Sequence, residues 1–125
     1  MKDLQNSKMK FLKSFKYAFN GIFYAISSEV NMKFHMIAAS AVVIGGFYFE
    51  VNSTEWMLLV AMIGLVLMAE LINTSIERMS DNISKAQDED IRRIKDMAAG
   101  AVLIISLSAA VIGLIVFIPK INIIF

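Results

Sequence analysis

Four residues in the second half of this chain are spaced for chemistry on one surface: Glu70, Asn73, Glu77 and Asp81. A helix turns about 100° per residue, so steps of three, four and four keep all of them on a single face. A buried carboxylate can take the proton of an attacking hydroxyl. Glu29 lies far upstream, at the entrance to an apolar run, where a fold could bring it to the depth of Glu77. Two carboxylates near an interface suit Mg²⁺, a hard ion usually held by one or two carboxylates while phosphate oxygens complete the shell. Lys95 could neutralise phosphate charge, and Asp96 could orient a donor or accept a hydrogen bond from a nucleotide. On its own, a Lys-Asp pair at a helix start reads equally well as solvated interfacial charge.

The elements that must position these residues are apolar. Of 125 residues, 58% are hydrophobic and 18% charged, against about 45–50% and about 25% in a soluble domain. Residues 34–49, 56–76 and 97–119 form three runs with almost no charge, near the roughly 20 residues a bilayer crossing needs. The first run is short and reaches normal length if Lys33 snorkels to the headgroups. The expected architecture is all-α integral membrane, with spans at about 32–50, 55–77 and 97–119 and a loop at 78–96. An amphipathic helix within 1–30 precedes this 31–125 unit. Glu70 is the one charge inside a run. Burying it costs about 2.5–3.5 kcal/mol on a lenient insertion scale, so it faces protein or a wet cavity. Taken alone, it could be a protonated acid making one interhelical hydrogen bond. The aligned Asn73 and Glu77 argue for a site.

Charge asymmetry sets orientation. Lys2, Lys8, Lys10, Lys13, Lys16 and Lys33 precede the first span, and Arg78, Lys85, Arg92, Arg93 and Lys95 lie between the second and third. The turn at 50–55 has no basic residue, so the N-terminus and the 78–96 loop are expected on the cytoplasmic side of the cell membrane. Read as a helix, residues 8–28 put Phe11, Phe15, Ala18, Phe19, Ile22 and Ile26 on one arc and Lys10, Lys13, Tyr17, Asn20 and Tyr24 opposite. That pattern fits a helix lying on the inner leaflet.

The composition excludes a disordered chain, a disulfide-stapled module and, at net charge +1, a nucleic-acid binder relying on basic charge. There is no Walker A loop and no kinase Gly-rich loop. With no Cys and one His, zinc and haem sites are excluded as working readings. His35 reads as a satisfied polar residue with no assigned chemistry, and Asp88, Glu89 and Asp90 as a solvated loop face. Ser106, Ala109, Ala110 and Gly113 form a small-residue stripe suited to a close helix–helix contact.

The segments E-L-I-N-T-S-I-E (70–77) and K-D-M-A-A-G-A-V-L (95–103), with Asp81 between them, closely resemble the bacterial diacylglycerol kinase/undecaprenol kinase family of small membrane lipid kinases. E-V-N-M-K-F-H (29–35) looks like that family's signature before the first span. The resemblance covers nearly the whole chain. It implies a homotrimer of three-span subunits that phosphorylates a lipid alcohol with ATP and Mg²⁺ in sites shared between neighbours. By position, Glu70 matches the general base and Asn73 the polar residue beside it. Glu29 and Glu77 match the metal-binding carboxylates, which contact ATP through the metal. Lys95, Asp96 and Tyr17 match nucleotide contacts, and Lys10 a basic residue near the lipid. The loop from Lys85 to Ile94 departs from the family pattern, so no nucleotide contact is carried over there.

Undecaprenol is the expected acceptor, with diacylglycerol as the alternative. The E-x-N-x-K-x-H entrance resembles the Gram-positive branch, in which undecaprenol kinases predominate. Ile outnumbers Leu 18 to 10 and Lys outnumbers Arg 9 to 3, as an AT-rich genome of that branch would give. Two other classes compete. A transporter would use Glu70 as a counter-ion and need no carboxylate cluster at one interface; an accessory subunit would tolerate loss of every carboxylate.

Overall fold

The computed structural model describes residues 1–83 and 88–124. It consists of four helices in chain order: α1 (Lys2–Ser28), α2 (Val30–Tyr48), α3 (Ser53–Ile83) and α4 (Glu89–Ile124). The last three are long and apolar enough to cross a membrane. The chain is an all-helical membrane protein. α3 packs chiefly on α4 and less extensively on α2, while α1 touches α2 and α3 near its own C-terminus.

A single residue separates α1 from α2. Ser27 and Ser28 both donate their hydroxyls to the Tyr24 carbonyl (3.0 and 2.7 Å), drawing on the last turn of α1. Glu29 then turns extended, at φ −112° and ψ 123°. Its N–H closes α1 on Ala25, and its carbonyl accepts the Lys33 N–H that opens α2. At this N-cap position a carboxylate usually accepts the helix's own free N–H groups, yet Glu29 makes no side-chain cap. Its carboxylate points elsewhere.

The connection from α2 to α3 is tight and closed by hydrogen bonds at both helix ends. Val51 donates its N–H to Gly46 across a helix end where Glu50 is left-handed at φ 53°. This six-residue closure is a Schellman end, and buried Val51 supplies its apolar contact. Asn52 and Glu55 then cap α3 reciprocally: the Asn52 N–H donates to Glu55 Oε1 (3.0 Å), and the Glu55 N–H to Asn52 Oδ1 (2.9 Å). The Trp56 ring lies on Gly46, where a Cβ would come within 2.4 Å of it. Val51, Leu59 and Val116 form the small apolar core beside it, with Phe117 packed against them.

Helices α3 and α4 reach beyond their apolar runs into the span expected as the 78–96 loop. α3 continues to Ile83, and α4 starts at Glu89 with Asp88 Oδ1 accepting the Asp90 N–H (2.8 Å). Asp88 is therefore an N-cap. Glu89 and Asp90 are first-turn acids that complement the helix dipole and pair with Arg93 at 3.6 and 3.7 Å. Lys85 lies outside the described residues. At its far end α4 passes through Pro119 instead of stopping there. Lys120, paired with Glu55 at 3.0 Å, and Phe117, beside Phe49 with ring centroids 5.9 Å apart, hold that end against its neighbours.

Candidate active site

Among the described residues, buried polar side chains gather on the C-terminal half of α3: Glu70, Asn73, Thr74 and Ser80. Most large apolar side chains of the chain face outward, as in Phe34, Phe47 and Ile104. That is the inverse of a soluble protein and suits a lipid environment. Glu70 is 2% exposed. The helical spacing has brought three of the four predicted residues into one line. The Asn73 amide donates to Glu77 Oε1 at 3.3 Å, and Glu77 lies within electrostatic reach of Glu70. From α2, His35 Nε2 comes within 3.6 Å of Glu70 Oε2.

Glu29 joins this cluster through Arg78. The Arg78 guanidinium donates to Glu29 Oε1 at 2.5 Å, to Ser28 Oγ at 3.2 Å and to the Tyr24 hydroxyl. It also lies 4.7 Å from the centroid of the Tyr24 ring, a cation–π approach. One side chain of α3 thus clasps the α1–α2 junction, and Glu29 stands within electrostatic reach of Glu70. The missing cap on α2 is explained: its carboxylate serves Arg78.

Lys95 and Asp81 pair with each other, Nζ to Oδ1 at 2.7 Å, and Lys95 lies within electrostatic reach of Glu77 and Asp96. Asp96 is exposed. Lys10 and Tyr17 lie on the free-standing part of α1 and make no hydrogen bond or ion pair with the cluster among the described residues. They share a face with Tyr24, spaced by seven residues, about 10 Å per step along the axis.

A divalent ion such as Mg²⁺ calls for hard oxygen donors. No three His, Cys, Asp or Glu side chains converge as a metal cage among the described residues. Mg²⁺ does not require one, because phosphate oxygens and water complete its shell. Glu77 and Glu29 are hard oxygen donors, although one oxygen of Glu29 is held by Arg78. Asn73 Oδ1 is buried without a partner among the described residues. An orphaned buried carbonyl oxygen needs an explanation, and an ion or bound water would give one. The residues fit.

Comparison with known proteins bears on what this cluster does. Residues 16–117 match the family described as prokaryotic diacylglycerol kinase. The chain belongs to that family. It is a lipid kinase, a phosphotransferase. It is 40% identical over 119 residues to the undecaprenol kinase of Bacillus subtilis (strain 168), covering 95% of this chain and 97% of that protein. It is 30% identical over 109 residues to the diacylglycerol kinase of Synechocystis sp., covering 86% of this chain and 62% of that one. With the diacylglycerol kinase of Escherichia coli (strain K12), identity is 28% over 102 residues, 82% of this chain and 84% of that one.

For a member of this family, several residues of the cluster escaped the sequence reading. In the sequence Arg78 reads only as a cytoplasmic charge, because the end of the apolar run predicts a loop from 78. A helix carried past Glu77 would have exposed it. Tyr24 and Ser28, four apart on α1, gave a weak signal as a hydroxyl pair beside Glu29. His35 was noticed and given no role.

Proposed function

We propose that this lipid kinase transfers the γ-phosphoryl group of ATP to undecaprenol at the cytoplasmic face of the cell membrane, as a homotrimer with shared sites. The observation that carries the reading is Glu70, buried inside an apolar span and continued by Asn73 and Glu77 toward water. A lipid alcohol stays in the bilayer and ATP stays in solution, so a catalyst needs a base on the membrane side and charge handling on the aqueous side. α3 carries both, about 10 Å apart along its axis between Glu70 and Glu77. An apolar cavity of about 320 Å³ between α2, α3 and α4, walled by His35, Val66 and Ser106, suits the carbon chain of the acceptor.

In the reaction the lipid hydroxyl gives its proton to Glu70 as its oxygen bonds to the γ-phosphorus. The bond from that phosphorus to the bridging oxygen breaks, and ADP leaves. Mg²⁺, when bound, supplies neutralisation of phosphate charge, and Glu29, Glu77 and Asn73 Oδ1 are the oxygens that would hold it. Lys95 and Asp96 meet the nucleotide at the start of α4, Lys95 exchanging Asp81 for phosphate. Tyr17 and Lys10 contact ATP and lipid from the surface-lying α1. In one chain α1 extends away from the cluster, which favours their serving a neighbouring subunit.

Undecaprenol is preferred over diacylglycerol because the relative with 40% identity carries the former name and those with 30% and 28% the latter. The test is purified protein in lipid with Mg-ATP, offered each alcohol separately, alongside Glu70→Gln. Faster phosphorylation of undecaprenol, lost at least about 100-fold in the variant, supports the reading. Faster turnover of diacylglycerol overturns the acceptor, and full activity in Glu70→Gln overturns the base.

A further inference from the structure

His35 is the sole histidine of the chain, and neither the metal-binding carboxylates nor the nucleotide contacts give it work. Its side chain is largely buried, with Nε2 3.6 Å from Glu70 Oε2. Phe34 meets the imidazole edge-on, with ring centroids 5.8 Å apart. His35 also forms part of the wall of the apolar cavity, together with Val66 and Ser106. His35 thus borders both the cavity and Glu70. A polar ring in an apolar wall is costly unless a partner engages it, and among the described residues the charged group beside it is Glu70, on α3.

We propose that His35 is the positioning residue of the base: its Nε2–H holds Glu70 Oε2, leaving Oε1 to accept the proton of the lipid hydroxyl. The inference rests on Glu70 acting as the base. A gap of 3.6 Å exceeds a formed hydrogen bond, and contacts between catalytic groups commonly tighten only when substrate is bound. A carboxylate fixed by one oxygen offers the other in a single direction. That is what an acceptor on a long, mobile chain requires.

Two measurements test it. The first needs no turnover. Histidine labelled with ¹⁵N gives the signals of one ring, and Glu70→Gln is expected to shift its nitrogen resonances; identical spectra in wild type and variant overturn the pairing. The second is kinetic. His35→Leu is expected to lower kcat roughly 10- to 100-fold while KM for ATP and thermal stability hold. His35→Gln, whose amide nitrogen reaches the position of Nε2, restores most of the rate, and His35→Asn does not. Unchanged kcat in His35→Leu, equal rescue by Asn, or loss of stability in step with activity in all three variants overturns the proposal. If the wild type phosphorylates neither lipid, the kinase reading fails by itself, and the nitrogen spectra still decide whether the two side chains are coupled. Lipid phosphorylation with an unresponsive histidine removes the pairing alone.

Discussion

The two ends of α3 are built on opposite principles. At its N-terminal end, Asn52 and Glu55 satisfy each other, Lys120 pairs with Glu55, and Val51, Leu59 and Val116 close an apolar plug beside the Trp56 ring. Asn52, Glu55 and Lys120 there find partners within the chain. At the C-terminal end the buried groups are polar, and two atoms, Asn73 Oδ1 and Arg78 Nε, have no partner among the described residues. Native proteins leave few such groups, and those that remain mark places where something else binds. One end of the helix is finished by its own residues and holds the bundle together. The other is left incomplete, and this is the end to which the proposed reaction is assigned.

The comparison breaks if stability and activity cannot be separated between the ends. The largest expected effect is that of Glu70→Gln, a loss of kcat of at least about 100-fold with no loss of thermal stability in detergent, because an amide keeps the shape and removes a buried charge. A variant that melted early would make Glu70 a structural residue. At the other end, Gly46→Ala forces a methyl group to within 2.4 Å of the Trp56 ring, which Phe47 flanks with ring centroids 4.9 Å apart. Overpacking of this kind costs about 1–3 kcal/mol. The expected result is a lower unfolding midpoint with kcat of the folded fraction unchanged. Retained stability would show that the plug yields more readily than its geometry indicates.

Arg78→Gln sharpens the functional side. Removing the guanidinium releases Glu29, Ser28 and Tyr24 together, and with them the angle between α1 and α2. The expected outcome is a KM for ATP raised about tenfold, the scale of a lost charge-assisted contact, with a smaller change in kcat. Initial-rate kinetics at varied ATP decide this. If the lipid KM alone moved, the clasp would be controlling α1 at the membrane and not Glu29.

Much of this division was legible in the sequence, for identifiable reasons. The three membrane helices announce themselves by uncharged length, and Glu70, Asn73 and Glu77 by a spacing that only a helix aligns. The helical stretches 78–83 and 89–96 were hidden because their residues are polar, and hydropathy cannot distinguish a solvated helix from a loop. What orders them is tertiary: Arg78 on Glu29, 49 positions away, and Lys95 on Asp81, 14 away. Each of Lys95, Asp81 and Glu29 was visible as a charge, but no periodicity encodes which charge meets which. His35 illustrates the same limit, since its partner Glu70 is brought to it from another helix by the fold alone.

The smallest effect belongs to the turn that closes the stable end. Glu50 adopts φ 53° to complete the helix stop that Val51 seals. For a residue with a Cβ this conformation costs about 1–2 kcal/mol, and glycine adopts it freely. Part of that gain returns as entropy, because a glycine has more freedom to lose on folding. Glu50→Gly should therefore raise stability by about 0.5–1 kcal/mol, read as a higher unfolding midpoint. Phosphoryl transfer should not change, since Glu50 lies at the opposite end of the bundle from Glu70. A variant that gained stability and lost activity would show that the two ends are coupled through α3, and that strain held at the turn is felt by the base.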